Sequence, residues 1–157
     1  MTAATTIAKA YDFPVGTRWL TGRRTLVSIH GKKDLEVATP PEFKGGIEGV
    51  WSPEDLLVAS IGTCYAVTLL AVADRRRLPL RGLELGASGH VTRRSDGAFG
   101  FTEAVLTATV DTEAGFEDEA RDAAEAAKGG CLVANSVDFP VRLELEVRAA
   151  PLLEAAI

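Results

Sequence analysis

A long uncharged run in the middle of the chain constrains the fold more than any other feature. No charged residue lies between Leu56 and Ala73, and three arginines follow at positions 75–77. The run is predicted to be a helix, because Ser52 can cap it, Pro53 suits its first position, and acidic residues follow in its first turn. A helix that is apolar on all sides has to be buried, so we expect the other elements to pack around it.

The same run reaches the lower limit of a membrane span, which is roughly 17 residues. Four polar residues dilute its hydrophobicity: Ser60, Thr63, Tyr65 and Thr68. The flanking segments read as strands that need a core, so we interpret the run as a core helix and expect no membrane association. The N-terminus has no cationic start followed by a long apolar stretch, which argues against a secretory signal and favours a cytoplasmic protein.

Length and charge narrow the class of protein. With 157 residues, the chain is expected to form a single domain over residues 1–157, with residues 1–16 as an N-terminal extension. The formal net charge is −5, and the short basic clusters are separated by acidic residues, so nucleic acid is not an expected partner.

The remaining patterns predict an α+β fold, with an antiparallel sheet segregated from two helices. Strand formers occupy residues 18–29 and 35–38, and a glycine-rich loop at 42–49 precedes the helix. Alternating apolar residues on both sides of 95–97 predict a hairpin, and a change of phase between 101 and 104 predicts a bulge. An amphipathic helix is predicted from about residue 113 to residue 128, stopped by glycines at 129 and 130, and a last strand at 141–148.

The two cysteines, Cys64 and Cys131, leave two interpretations open. They are either small buried packing residues or a redox-active pair, since structural disulfides are rare in a reducing compartment. A redox-active pair would need a cation beside Cys64, because burial alone raises the pKa of a thiol. His30 and His90 are scattered and show no metal-ligand spacing with the cysteines, and no nucleotide-binding motif is present, so neither a metal nor a cofactor is expected.

Two segments carry a resemblance to a known family. PPEFKGGIEGVWSPEDLLVASIGTC ends at Cys64, and AAKGGCLVANSV contains Cys131. Together with the long helix between them, they resemble the osmotically inducible protein C and organic hydroperoxide resistance family, from about Trp19 to Val147.

The resemblance implies a metal-free cysteine peroxidase that works as an intertwined homodimer. Cys64 would attack an organic hydroperoxide and become a sulfenic acid, and Cys131 would condense with it to form a disulfide. We expect Cys131 to be mobile, since it follows two glycines. The implied reductant is a dithiol, such as the dihydrolipoyl group of a lipoylated partner protein. A non-catalytic family member that binds apolar or acyl ligands is the alternative.

The resemblance also implies a glutamate that holds an arginine over the reactive thiolate. Glu54 matches the glutamate, and Arg24 is our choice of arginine, with Arg18 and Arg23 as alternatives. Glu54 precedes Cys64 by ten residues, or about 15 Å along one helix axis, which is too far for a glutamate side chain to span. Either the long arginine bridges much of this gap, or a second copy of the helix brings its Glu54 beside the first copy's cysteine. The apolar surface on all sides of the helix favours the second route, so we expect the active site to be built from both chains.

Overall fold

The structure is a computed structural model, and it describes residues 9–150. The chain forms two compact units that divide between Pro53 and Glu54. Part of the predicted N-terminal extension, residues 1–8, lies outside the described residues; residues 9–15 carry no helix or strand, and the first strand begins at Gly16. The expectation of a single domain over residues 1–157 stays a prediction.

The first unit contains a three-stranded antiparallel sheet. Its strands are β1 (Gly16–Thr21), β2 (Arg24–Ser28) and β3 (Leu35–Ala38), in that spatial order. The segment expected to be one strand from 18 to 29 is a hairpin, because Gly22 has a φ of +51° and reverses the chain. The N–H of Ala38 donates to the carbonyl of Trp51 over 2.8 Å and ties the chain before the long helix to β3.

The glycine-rich loop of the first unit closes on itself. The N–H of Ile47 donates to the carbonyl of Thr39 over 3.0 Å, across the base of the loop. A Cβ atom added at Gly46 would lie 2.0 Å from the carbonyl oxygen of Pro40. This glycine is therefore required for the close approach of the loop's own backbone.

The second unit combines two helices with a three-stranded sheet. The helices are α1 (Pro53–Arg76) and α2 (Glu117–Gly130). The strands are β4 (Leu80–Arg93), β5 (Phe99–Glu113) and β6 (Val141–Ala150), in the order β4-β5-β6. The α+β class, the two helices and the start of α1 at Pro53 are as predicted from the sequence.

The β4–β5 hairpin matches its sequence signals. Its turn is closed by the N–H of Arg94, which donates to the carbonyl of Ala98 over 2.8 Å, and Gly97 has a φ of +84°. His90 pairs with Glu103 while Val91 pairs with Phe101, which leaves one extra residue on β5. The predicted bulge between residues 101 and 104 is therefore confirmed.

The last strand differs from the antiparallel sheet that we expected. β6 runs parallel to β5, with Ala104 opposite Val141 and Val110 opposite Val147. A parallel neighbour needs a crossover of a dozen or more residues, and α2 supplies it. The alternating pattern of β6 indicated which face is covered, but alternation is the same for either strand direction.

The start of α2 was predicted four residues too early. β5 continues to Glu113, and Gly115 then turns the chain at a φ of +92° before the helix begins at Glu117. Phe116, which we placed on the apolar stripe of the helix, lies before it and is partly exposed. The alanines of the stripe are buried as expected: Ala120, Ala123, Ala124 and Ala127.

The core of the second unit lies between α1, α2 and the sheet. One face of α1 is buried there through Ile61, Tyr65, Leu69 and Val72. The opposite face is open in the single chain, with Val67 62% and Leu70 47% exposed. By length and composition α1 is long and apolar enough to cross a membrane, and 33% of its apolar segment is buried. The expectation of burial on all sides is therefore not met within one chain.

Gly89 lies on β4, where α1 packs against the β4–β5 hairpin. A Cβ atom at Gly89 would lie 2.5 Å from Cε1 of Phe101 and 2.7 Å from Cγ2 of Val58, and the Phe101 ring is stacked on Phe139 at 5.6 Å. We expect Gly89→Ala to lower the free energy of unfolding by about 1–3 kcal/mol, the usual cost of overpacking, as measured by denaturant titration.

Gly86→Ala is the matched control on the same strand. There the added Cβ would lie 4.0 Å from its nearest neighbours, so the stability should stay unchanged or rise by about 0.5–1 kcal/mol, since alanine restricts the unfolded chain. Equal stability of the two variants would contradict the packing described here.

Candidate functional site

The fold brings together the two cysteines, which lie far apart in sequence. Cys64 is half-buried near the middle of α1, and Cys131 is fully buried directly after α2. Their side chains hydrogen-bond to each other. The Sγ of Cys131 also lies 4.0 Å from the carbonyl oxygen of Ile61, one turn before Cys64 on α1.

Cys131 belongs to a tightly hydrogen-bonded segment, residues 131–136, which we call the cysteine turn. The carbonyl of Cys131 accepts a hydrogen bond from the N–H of Asn135 over 3.0 Å, and the N–H of Cys131 donates to the carbonyl of Lys128 over 3.3 Å. Asn135 Nδ2 donates to the carbonyl of Gly129 over 2.9 Å, and Ser136 Oγ donates to that of Leu132 over 2.8 Å. Cys131 is thus held from both sides by hydrogen bonds, and the mobility that we expected after two glycines stays a prediction.

The cysteine turn changes the acidity of Cys64. Burial by itself would raise the pKa of this thiol. Hydrogen bonds from the backbone of Val133, the thiol of Cys131, the hydroxyl of Thr68 and the backbone of Leu132 outweigh burial and lower the pKa below its usual value. Each of these groups stabilises the negatively charged sulfur. We expected that only a cation could do this, whereas neutral donors within the second unit already lower the pKa.

Cys131 is shifted in the opposite direction. Burial raises its pKa, and the hydrogen bond and the negative charge of Cys64 raise it further, against a lowering by the backbone of Ala134. Two neighbouring thiols that share one hydrogen bond do not both ionise readily. The arrangement therefore favours ionisation of Cys64 before that of Cys131.

Our sequence interpretation missed Thr68 and the backbone amides of the cysteine turn. Thr68 looked like a residue that only dilutes an apolar helix. Backbone amides leave no trace in a sequence unless a turn is recognised. The Asn-Ser pair at 135 and 136 was the available signal, because such side chains often bond to nearby backbone groups.

Glu54 lies in the first turn of α1, as predicted. Its Oε2 atom is buried and, among residues 9–150, has no hydrogen-bond partner. A buried carboxylate oxygen without a donor is costly, and a cation is its most effective partner. Arg24 lies in the first unit, at the start of β2, where its guanidinium forms an ion pair with Glu36. Arg18 is exposed on β1, and the side chain of Arg23 lies beside Gly45.

A metal site is not formed by the described residues. Within residues 9–150, no three or more histidine, cysteine or acidic side chains lie together in a way that could hold a metal ion. The two thiols face each other and their hydrogen-bond donors, an arrangement suited to nucleophilic and redox chemistry of sulfur.

The opposite pKa shifts of the two cysteines predict a difference in reactivity. A thiolate is the form that alkylates, so the rate for Cys64 should rise with pH through a pKa below the usual value for cysteine. Cys131 is buried and its pKa is raised, so it should react more slowly and only at higher pH. Timed iodoacetamide labelling of the reduced protein, followed by peptide mass spectrometry, measures both rates.

Cys64→Ser is the control for this measurement. It removes the charge that raises the pKa of Cys131, so the remaining cysteine should not become less reactive. Faster labelling of Cys131 than of Cys64 in the unmodified protein would show that the assignment of the thiolate is reversed.

Comparison with known proteins places the chain in a family. Residues 46–146 match the sequence profile of the OsmC-like protein family. An uncharacterized protein of Bacillus subtilis (strain 168), YmaD, is 24% identical over 141 residues, which cover 87% of this chain and 93% of that protein. The chain belongs to the OsmC-like family, as the resemblance had indicated.

Solved structures share the fold. An OsmC-like protein of unknown function from Vibrio cholerae superposes with a TM-score of 0.79 at 19% identity, over 87% of this chain and 99% of that one. An organic hydroperoxide resistance protein from Elizabethkingia anophelis gives a TM-score of 0.72 at 23% identity, over 92% of this chain and 100% of that one. At these identities the likeness establishes the fold.

Proposed function

We propose that this OsmC-like protein is a cysteine peroxidase that reduces organic hydroperoxides to alcohols and so serves in defence against oxidative stress. The observation that carries the proposal is the hydrogen-bonded cysteine pair, in which the pKa of Cys64 is lowered and that of Cys131 is raised. Family membership, and structural similarity to an organic hydroperoxide resistance protein, support the same reaction class.

The first step is attack of the Cys64 thiolate on the outer oxygen of the hydroperoxide. The S–O bond forms as the O–O bond breaks, sulfur is oxidised to a sulfenic acid, and the alkoxide leaves with the electron pair of the O–O bond. The alkoxide takes a proton and becomes the alcohol. The lowered pKa of Cys64 increases the fraction of thiolate, so the rate should rise with pH through that pKa and then level off.

The second step is condensation of the sulfenic acid with Cys131. The Cys131 sulfur attacks the Cys64 sulfur, a disulfide forms, and water leaves with the proton of Cys131. Because the side chains already hydrogen-bond, a disulfide requires only local movement of the cysteine turn. A dithiol reductant, such as a lipoylated protein, then reduces the disulfide by thiol exchange and is itself oxidised. This cycle suits the reducing cytoplasm, where we place the protein.

We further propose that the working form is an intertwined homodimer with an active site shared between chains. The open apolar face of α1, with Val67 and Leu70 exposed, suits a second copy of the same helix. The buried, unpaired Oε2 of Glu54 suits an arginine, for which Arg24 remains our choice. The Arg24–Glu36 pair is partly exposed and so contributes little stability, which leaves Arg24 free to exchange partners.

Steady-state consumption of cumene hydroperoxide, with dithiothreitol or dihydrolipoamide as reductant, tests the reaction. Cys64→Ser should reduce the rate to that of the free reductant, a loss of about 10³-fold or more. Cys131→Ser should still consume the first equivalent of peroxide, because it keeps the attacking thiol.

The product state provides a second readout of the same proposal. One equivalent of peroxide should leave a Cys64–Cys131 disulfide in the peptide map of the unmodified protein and a sulfenic or over-oxidised Cys64 in Cys131→Ser. Equal and slow consumption by the unmodified protein and Cys64→Ser would dispose of the enzyme proposal and favour a protein that binds apolar or acyl ligands.

Subunit mixing tests the shared site. Cys64→Ser and Glu54→Ala should each have little activity alone, and exchange of subunits should restore up to one intact site per mixed dimer. Mixing each variant with itself is the control, and a tag on one chain reports the extent of exchange. Complete exchange without recovery of activity would mean that each site lies within one chain.

A further inference from the structure

Thr68 lies one helical turn after Cys64, on the same side of α1. Its Oγ1 atom donates to the carbonyl oxygen of Cys64 over 2.7 Å. Its Cγ2 methyl group faces the end of α2, where a Cβ atom at Gly130 would lie 3.5 Å away. The side chain is therefore fixed, with the methyl group toward α2 and the hydroxyl toward Cys64.

We infer that Thr68 is a positioning residue for the reacting sulfur. When the Sγ of Cys64 carries a negative charge, the hydroxyl hydrogen of Thr68 turns from the carbonyl oxygen of Cys64 to that sulfur. The inference rests on the proposed function, in which Cys64 reacts as a thiolate. A hydroxyl has one hydrogen to donate, and a charged acceptor binds it more strongly than a neutral carbonyl does.

The exchange leaves no backbone group unpaired. Within α1, the carbonyl of Cys64 also accepts from the N–H of Thr68 in the regular helical pattern. The carbonyl keeps this bond when the hydroxyl turns away. Thr68 can therefore switch between its two acceptors without a local cost in helix structure.

The other donors to Cys64 show why Thr68 matters during the reaction. Cys131 is the titratable group that faces Cys64 from the cysteine turn, and the backbones of Val133 and Leu132 are neutral donors. Cys131 gives up its proton when it attacks the oxidised sulfur. Thr68 and the two backbone donors then hold the position of Cys64. The hydroxyl also contributes to the lowered pKa of Cys64, in agreement with this geometry.

Thr63 offers a matched control on the same helix. Its Oγ1 donates to the carbonyl of Ala59 over 2.7 Å, the same bond to the preceding turn, but its side chain is exposed. Thr63→Val removes an equivalent helical hydrogen bond without removing a donor to Cys64. Any general effect of losing such a bond should appear in both threonine variants.

The experiment is the pH dependence of Cys64 alkylation in the reduced, full-length protein, with Cys131 present. Thr68→Val should raise the midpoint by about one pH unit, which is about a tenfold lower rate at pH values below the midpoint. Thr68→Ser, which keeps the hydroxyl, should restore most of the rate, and Thr63→Val should titrate like the unmodified protein. If valine prevents folding, Thr68→Ala provides the same loss of the hydroxyl and should give the same shift.

Two results would overturn the inference. One is an unchanged midpoint in Thr68→Val or Thr68→Ala. The other is an equal shift in the serine variant or in Thr63→Val, since packing or helix stability would then be responsible. Alkylation requires no peroxide, so a shifted midpoint in a protein without peroxidase activity would refute the proposed reaction and leave the role of Thr68 intact.

Discussion

The hydrogen bond between the side chains of Cys64 and Cys131 requires α1 and the end of α2 to approach each other closely. Small residues make this approach possible. The buried face of α2 consists of alanines, and Gly130 leaves room for the methyl group of Thr68. On the other side of α1, Gly62 lies close enough to the sheet that an added Cβ would be 3.2 Å from that of Ala87. Close packing on both sides of α1 thus brings the two thiols together.

The cysteine turn adds donors to this packing. It follows α2 directly, and the side chains of Asn135 and Ser136 bond to backbone carbonyls at the helix end and within the turn. Backbone groups of Leu132 and Val133 bond to Cys64. A single short segment therefore caps a helix, carries one thiol and stabilises the charge on the other. Neutral donors of this kind are preorganised by the fold, so they need little rearrangement as charge develops on the sulfur.

The sequence predicted those features that local signals encode. The start of α1 follows from Pro53, the β4–β5 turn from Gly97, and the bulge from a change in alternation around residue 102. The parallel direction of β6 and the late start of α2 were missed. Strand direction depends on long-range topology, and the end of β5 had no local marker stronger than the acidic residues near Gly115.

The candidate site was likewise predicted only in part, where residue type gave a local signal. Cys64 and Cys131 were identified from residue type and family resemblance, and their meeting required the fold. The donors that lower the pKa of Cys64 were not foreseen, because they are backbone groups and a threonine without a distinctive pattern. A cationic partner was the natural expectation from sequence, since charge is visible in a list of residues and the orientation of an amide is not.

The parallel pairing of β6 with β5 also ties the acidity of Cys64 to a long-range contact of the fold. The hairpin of β4 and β5 needs only local contacts, whereas the pairing of β6 with β5 spans the whole of α2. The cysteine turn lies within that connection, between α2 and β6. Without the closed crossover, Cys64 would lack the donors of the cysteine turn, and only Thr68 on its own helix would favour its ionisation. The full lowering of the pKa of Cys64 is thus a property of the folded second unit and not of α1 alone.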